Sequence, residues 1–73
     1  MARSYGKLAI NRRVMVNLQS GQAVEGVLWD DRGPLIVLKD AHLHTEGGSA
    51  PLDGEVVIER TNIDFVQIVT GAS

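Results

Sequence analysis

The sequence predicts an all-β fold, a small five-stranded, strongly bent antiparallel barrel, and three observations predict it. Apolar residues recur at every second position through Val14, Val16 and Leu18 and again through Val24, Gly26 and Leu28, which puts one face of each segment inside. Gly21 punctuates a hairpin between them, and Gly26 interrupts a strand where the backbone must bend or be closely approached. A charged turn then leads into the continuous apolar run Leu35-Ile36-Val37-Leu38. Bent strands joined by tight turns are how a very short chain closes a barrel.

Taken in order, the first dozen residues read as a short helix or turn. Ser4 is placed to cap a helical turn through Ile10, although Leu8 and Ile10 also alternate as a strand would. Arg13 to Leu18 is the first strand, with Val14, Val16 and Leu18 inward and Arg13, Met15 and Asn17 outward. Gln19-Ser20-Gly21-Gln22 is a hairpin turn in which Gly21 supplies a positive φ. Ala23 to Trp29 is the second strand, with Ala23, Glu25, Val27 and Trp29 on its outer face. Asp30-Asp31-Arg32-Gly33-Pro34 reads as a turn, and Leu35 to Leu38 as a strand covered on both sides.

Ala41 to Asp53, with adjacent glycines at 47 and 48 and a proline at 51, reads as a loop. Gly54 to Glu59 is the fourth strand, Arg60-Thr61-Asn62 a tight turn, Ile63 to Val69 the fifth strand, and Gly71-Ala72-Ser73 a frayed end. The expected organisation is one domain over residues 1–73: an N-terminal segment 1–12, the barrel 13–69 and a tail 70–73.

A chain of 73 residues buries only about 60% of its unfolded surface, so domains of this size lean on staples or partners. The absence of cysteine excludes disulfide and thiolate-zinc staples and leaves oligomerisation as the natural support. No apolar run approaches the roughly 20 residues of a membrane helix, and Met1 to Gly6 lacks the apolar core of a signal peptide. The expectation is a cytoplasmic or assembly-bound protein, neither secreted nor membrane-embedded. A formal charge of −2 argues against a generalised nucleic-acid binder, which needs clustered Lys and Arg.

Chemistry-bearing clusters are few. Asp30 and Asp31 form a carboxylate pair, but a general acid needs burial, and a turn beside Arg32, Gly33 and Pro34 offers solvent. His42 and His44 share a face on an extended strand, yet a firm zinc site wants three or four ligands. The missing ones would have to come from Glu46, Asp40 or a neighbouring subunit. Gly47-Gly48-Ser49 has neither the lysine nor the following helix of a phosphate loop. With no nucleophile elbow or dinucleotide fingerprint either, the expectation is a protein that is not an enzyme, with no cofactor and no metal.

The stretch from Val14 to Asp40, followed by Val57-Ile58-Glu59-Arg60-Thr61-Asn62-Ile63, resembles the bipartite motif of the Sm-like (LSm) proteins. The resemblance runs from about Arg13 to Val69, and its first half is the more specific. It implies a five-stranded bent barrel assembling into hexameric or heptameric rings, most of which bind single-stranded RNA at the pore. Family members carry an Asp and an Asn in the turn before the third strand and an Arg-Gly pair between the fourth and fifth. Here Asp31 matches the Asp, Leu35 falls where the Asn should be, and Glu59-Arg60 stands where the Arg-Gly pair should be.

Asp31, Arg60 and Asn62 are therefore what survives of the family's RNA-binding constellation, with Arg60 shifted by one position. A one-residue shift along a strand reverses the face. Leu35 has no amide to read a base edge, and Glu59 places negative charge where phosphates would approach. Tyr5, Trp29 and Phe65 are the only aromatics available for stacking. The two late strands are rich in β-branched residues, and exposed edges of this kind must be paired or covered. In the family such strands join subunits edge to edge, which assigns Val56, Val57, Ile58, Phe65, Val66 and Ile68 to a subunit interface.

The resulting expectation is a structural or binding scaffold built as a ring of identical subunits, as one part of a larger assembly such as a viral particle. Its alternative is a single-stranded RNA-binding ring, and a third reading is a metal-dependent activity at His42 and His44.

Overall fold

The computed structural model describes residues 6–69. The Ser4 cap and the tail beyond Val69 lie outside the described residues. A short helix α1 (Gly6–Ala9) precedes six strands: β1 (Arg13–Leu18), β2 (Ala23–Arg32), β3 (Leu35–Thr45), β4 (Gly48–Leu52), β5 (Val56–Glu59) and β6 (Ile63–Ile68). They form one antiparallel sheet in the order β4-β3-β2-β1-β6, with β5 also paired to β3.

The alternation read from the sequence sets the core. Val14 and Val16 of β1, Val24 and Leu28 of β2, Ile36, Leu38 and Ala41 of β3, Ile58 of β5 and Ile63 of β6 are all buried, and Ala9 of α1 joins them. Leu18, Leu43, Leu52, Val56, Val66 and Ile68 pack around this cluster. The segment after α1 is tied down by backbone bonds, the Asn11 amide donating to Leu28 and the Leu28 amide to Arg12. The first hairpin closes as expected: Gly21 has φ +97° and donates its amide to the Leu18 carbonyl.

Two bulges in the β2–β3 ladder bend the sheet. Glu25 pairs with His42 and Val27 with Lys39, so Asp40 and Ala41 together face Gly26 across the strands. Asp40 takes φ +52° there, a left-handed conformation that Asp tolerates better than most residues. A Cβ at Gly26 would lie 3.0 Å from the Lys39 carbonyl oxygen and 3.1 Å from the Ala41 Cβ, so β3 packs against bare backbone at this point. The second bulge falls between Leu28 and Asp30 and leaves Trp29 as the extra residue on β2.

Three expectations need correction. The segment from Ala41 to Asp53 is not a loop: β3 runs on to Thr45, turns, and pairs with β4 from Gly48 to Leu52. Pro51 is accommodated because β4 is an edge strand, half of whose amides face away from the ladder. Because β4 and β5 both pair along the same side of β3, they act as two halves of one strand broken at residues 53–55. The six segments thus correspond to the five strands expected.

The turn before β3 is also shorter than expected. Asp30, Asp31 and Arg32 are paired on β2 with Val37, Ile36 and Leu35, and only Gly33 and Pro34 make the turn. The run from Leu35 to Leu38 is covered on one side alone. Ile36 and Leu38 are buried, while Leu35 is exposed and Val37 half-buried on the outer face.

Candidate subunit and nucleic-acid interface

The sheet ends in two open edges. Strand β5 is hydrogen-bonded to β3 on one side and β6 to β1 on one side, and among the described residues no ladder joins β5 to β6. Each edge presents a large apolar side chain on the outer face, Val57 on β5 at 57% exposed and Phe65 on β6 at 49%. The other residues assigned to an interface lie differently. Ile58 is buried in the core, and Val56, Val66 and Ile68 are half-buried against it. Their backbones lie on the open edges although their side chains point inward.

Beside β5 the outer face forms a shallow concavity of about 400 Å³ lined by Trp29, Leu35, Val37, Val57 and the charged Asp30, Arg32 and Glu55. Val37 stands directly across from Val57 in the β3–β5 ladder. The Lys39 ammonium sits 3.6 Å from the centroid of the Trp29 ring and 3.6 Å from the Glu55 carboxylate. Arg32 donates to the Asp30 carboxylate at 2.6 Å. That hydrogen bond, reinforced by the charge of Arg32, holds the Asp30 carboxyl below its ordinary value and raises Arg32 above its own.

The constellation carried over from the resemblance is brought together only in part. Arg60 opens a 3-10 turn (Arg60–Asn62) between β5 and β6, and its guanidinium is directed back into its own chain. It donates to the Asp31 carboxylate and, at 2.5 Å, to the Gly33 carbonyl, while the Arg60 amide donates to Pro34 at 2.8 Å. Asp31 is therefore no solvated turn residue, its side chain being only 8% exposed. The pair clasps the β2–β3 turn onto the β5–β6 turn. Asn62 is exposed on the same 3-10 turn, and its carbonyl accepts from the Gln19 amide. Leu35 and Glu59 are cross-strand partners in the β3–β5 ladder and both are exposed. The two departures from the family pattern thus stand side by side.

His44 lies 2.9 Å from the Glu25 carboxylate through Nε2, and His42 stands across from Glu25 in the ladder. Arg13 reaches the same Glu25 at 3.8 Å and Asp40 at 2.7 Å. Among the described residues no group of three or more His, Asp or Glu side chains is arranged to hold a metal. No helix among them is long and apolar enough to cross a membrane.

Comparison with known proteins identifies the architecture. No family model and no curated protein matches the sequence. Among solved structures, the chain is similar to a heptameric archaeal Sm protein, at 23% identity and a TM-score of 0.78, over 86% of this chain and 93% of that one. It is similar also to the SmAP1 heptamer of P. aerophilum, at 24% identity and a TM-score of 0.80, over 89% and 88% of the two chains. A chain of the NatC complex bound to CoA matches at 17% identity and a TM-score of 0.79, over 96% and 91%. These likenesses show the fold: the chain is a divergent Sm-like barrel.

Proposed function

We propose that this protein is a non-enzymatic Sm-like subunit that joins copies of itself through β5 of one subunit and β6 of the next, closing a hexameric or heptameric ring that serves as a scaffold. The observation that carries the proposal is the pair of open, apolar edges on one small sheet. Unpaired strands of this kind associate unless blunted by charge, proline or cover. Two different edges of one molecule pair head to tail, and head-to-tail contacts generate rings when the rotation closes. Two of the similar structures are heptamers, and a third chain of the same fold belongs to a complex, which supports a place within a larger assembly.

Scaffolding is favoured over RNA reading because the chemistry around the turn is engaged elsewhere. Arg60 is spent on Asp31 and Gly33, leaving exposed Leu35 and Glu59 as the groups at the corresponding positions. An aliphatic side chain beside a carboxylate offers no base-edge amide and repels phosphate.

The test is a titration of a short labelled uridine oligomer at about 0.15 M salt, with Asn62→Ala and Arg60→Ala alongside. The expected result is weak binding, in the roughly 10⁻⁴ to 10⁻⁶ M range of non-specific contact, unchanged by Asn62→Ala. Binding tighter than about 1 μM that Asn62→Ala abolishes would establish the RNA-binding ring instead. Assembly itself is tested by Val57→Lys and Phe65→Asp, which place charge on the two edges and should yield smaller species by sedimentation with the β-sheet spectrum retained.

A further inference from the structure

We infer that the concavity walled by Trp29 and Val57 is a socket for Phe65 of a second copy of this chain. This rests on the edge-to-edge reading above and specifies which side chains lock it. Strand β5 borders the concavity and is itself the open edge, so any strand that pairs with β5 extends the concavity's outer wall. On β6, Phe65 pairs with Asn17 and Gln67 with Met15, the outward residues of β1, whereas Val66 and Ile68 pack inward. Joining two strand edges into a continuous sheet keeps outer face with outer face, because side chains alternate along a regular strand and Phe65 to Ile68 lie in the regular part of β6, beyond its irregularity opposite Leu18. The neighbour's Phe65 therefore arrives on the side where Val57, Val37 and Trp29 are presented.

The chemistry of the rim selects such a partner. Its charges are already matched within the chain, Arg32 to Asp30 at 2.6 Å and Lys39 to Glu55 at 3.6 Å. A charged partner would have to break those pairs. An uncharged aromatic ring instead covers the half-exposed indole and the exposed Val57 without disturbing them. Knob and socket lie on opposite edges of one sheet, so each subunit offers one and receives one, as a closed head-to-tail ring requires.

Two measurements test this in the full chain. Because the chain has no cysteine, Phe65→Cys and Val57→Cys variants can be prepared separately, mixed and oxidised. A disulfide needs Cα atoms within about 4.4–6.8 Å, the spacing of residues that stand opposite each other on paired strands, which is where the socket places Phe65 relative to the neighbour's Val57. The expected product is a covalent dimer that forms in the mixture and in neither variant alone. Trp29 is the only tryptophan, so its fluorescence reports the socket. In the assembled protein its emission should lie to the blue of the Phe65→Ser variant's, and acrylamide should quench it severalfold less.

Assembly of the mixed cysteine variants without the cross-link overturns the socket and leaves the edge-to-edge reading standing. A species of 7.9 kDa at micromolar concentration overturns both.

Discussion

Replacing Gly26 probes the bend on which the fold depends. A Cβ built there meets the Lys39 carbonyl oxygen at 3.0 Å, the Ala41 Cβ at 3.1 Å and the Ala41 Cα at 3.2 Å. None of these atoms is the end of a flexible side chain, so relief requires β2 and β3 to separate by a few tenths of an ångström. That shift would disturb the bulge at Asp40, which the same two strands hold in a left-handed conformation. Overpacking of this kind costs about 1–3 kcal/mol, and the gain from restricting the unfolded chain returns only about 0.4–1 kcal/mol. Gly26→Ala should therefore destabilise by about 1 kcal/mol and Gly26→Val, with two further methyl groups, by about 2–3 kcal/mol.

In a domain of this size each kcal/mol lowers the melting temperature by about 4–8 °C. The assay is thermal and urea unfolding at one fixed protein concentration, because assembly adds stability by mass action. A Gly26→Val variant within about 0.5 kcal/mol of the parent, the range of ordinary surface changes, would refute the close approach.

Three further outcomes are expected. Removing Arg60 leaves the nearly buried Asp31 carboxylate without that partner, so Arg60→Ala should cost about 2–3 kcal/mol in urea unfolding, while Asp31→Asn with Arg60→Gln should recover part of the loss. Asp40→Val should cost about 1–2 kcal/mol because a β-branched residue resists φ +52°, whereas Asp40→Gly should unfold close to the parent. The Asp30 carboxyl should titrate below the ordinary aspartate range by NMR, and Arg32→Ala should raise its midpoint. Because the folded-state pKa is the lower one, this pair's contribution is present above the unfolded-state pKa and lost as the pH falls through the folded value.

The fold was legible where periodicity and burial coincide. Val14, Val16, Val24 and Leu28 alternate and are buried, and Gly26 marks the approach of β3. The hairpin of β3 and β4 was not legible. His42, His44, Thr45, Ser49 and Ala50 give little apolar contrast between faces, and adjacent glycines with Pro51 mimic a loop. Strand β4 is held by its backbone ladder on the edge of β3, and its residues from Gly48 to Pro51 stay exposed. The clasp between Asp31 and Arg60 was hidden for another reason. Ion pairs between residues 29 positions apart depend on register, and a turn spanning Asp30 to Pro34 leaves Asp31 outside the ladder that in fact carries it toward Arg60. Asp31, on β2 rather than in a turn, faces inward toward the β5–β6 turn instead of out to solvent.

The central claim, that this barrel is one subunit of a ring, is tested most directly by native mass of the purified protein at micromolar concentration, recorded with its ultraviolet absorbance ratio. The account predicts a single species several times 7.9 kDa with the absorbance of protein alone. A species of 7.9 kDa would contradict the ring, and a ring carrying nucleic acid would contradict the scaffold.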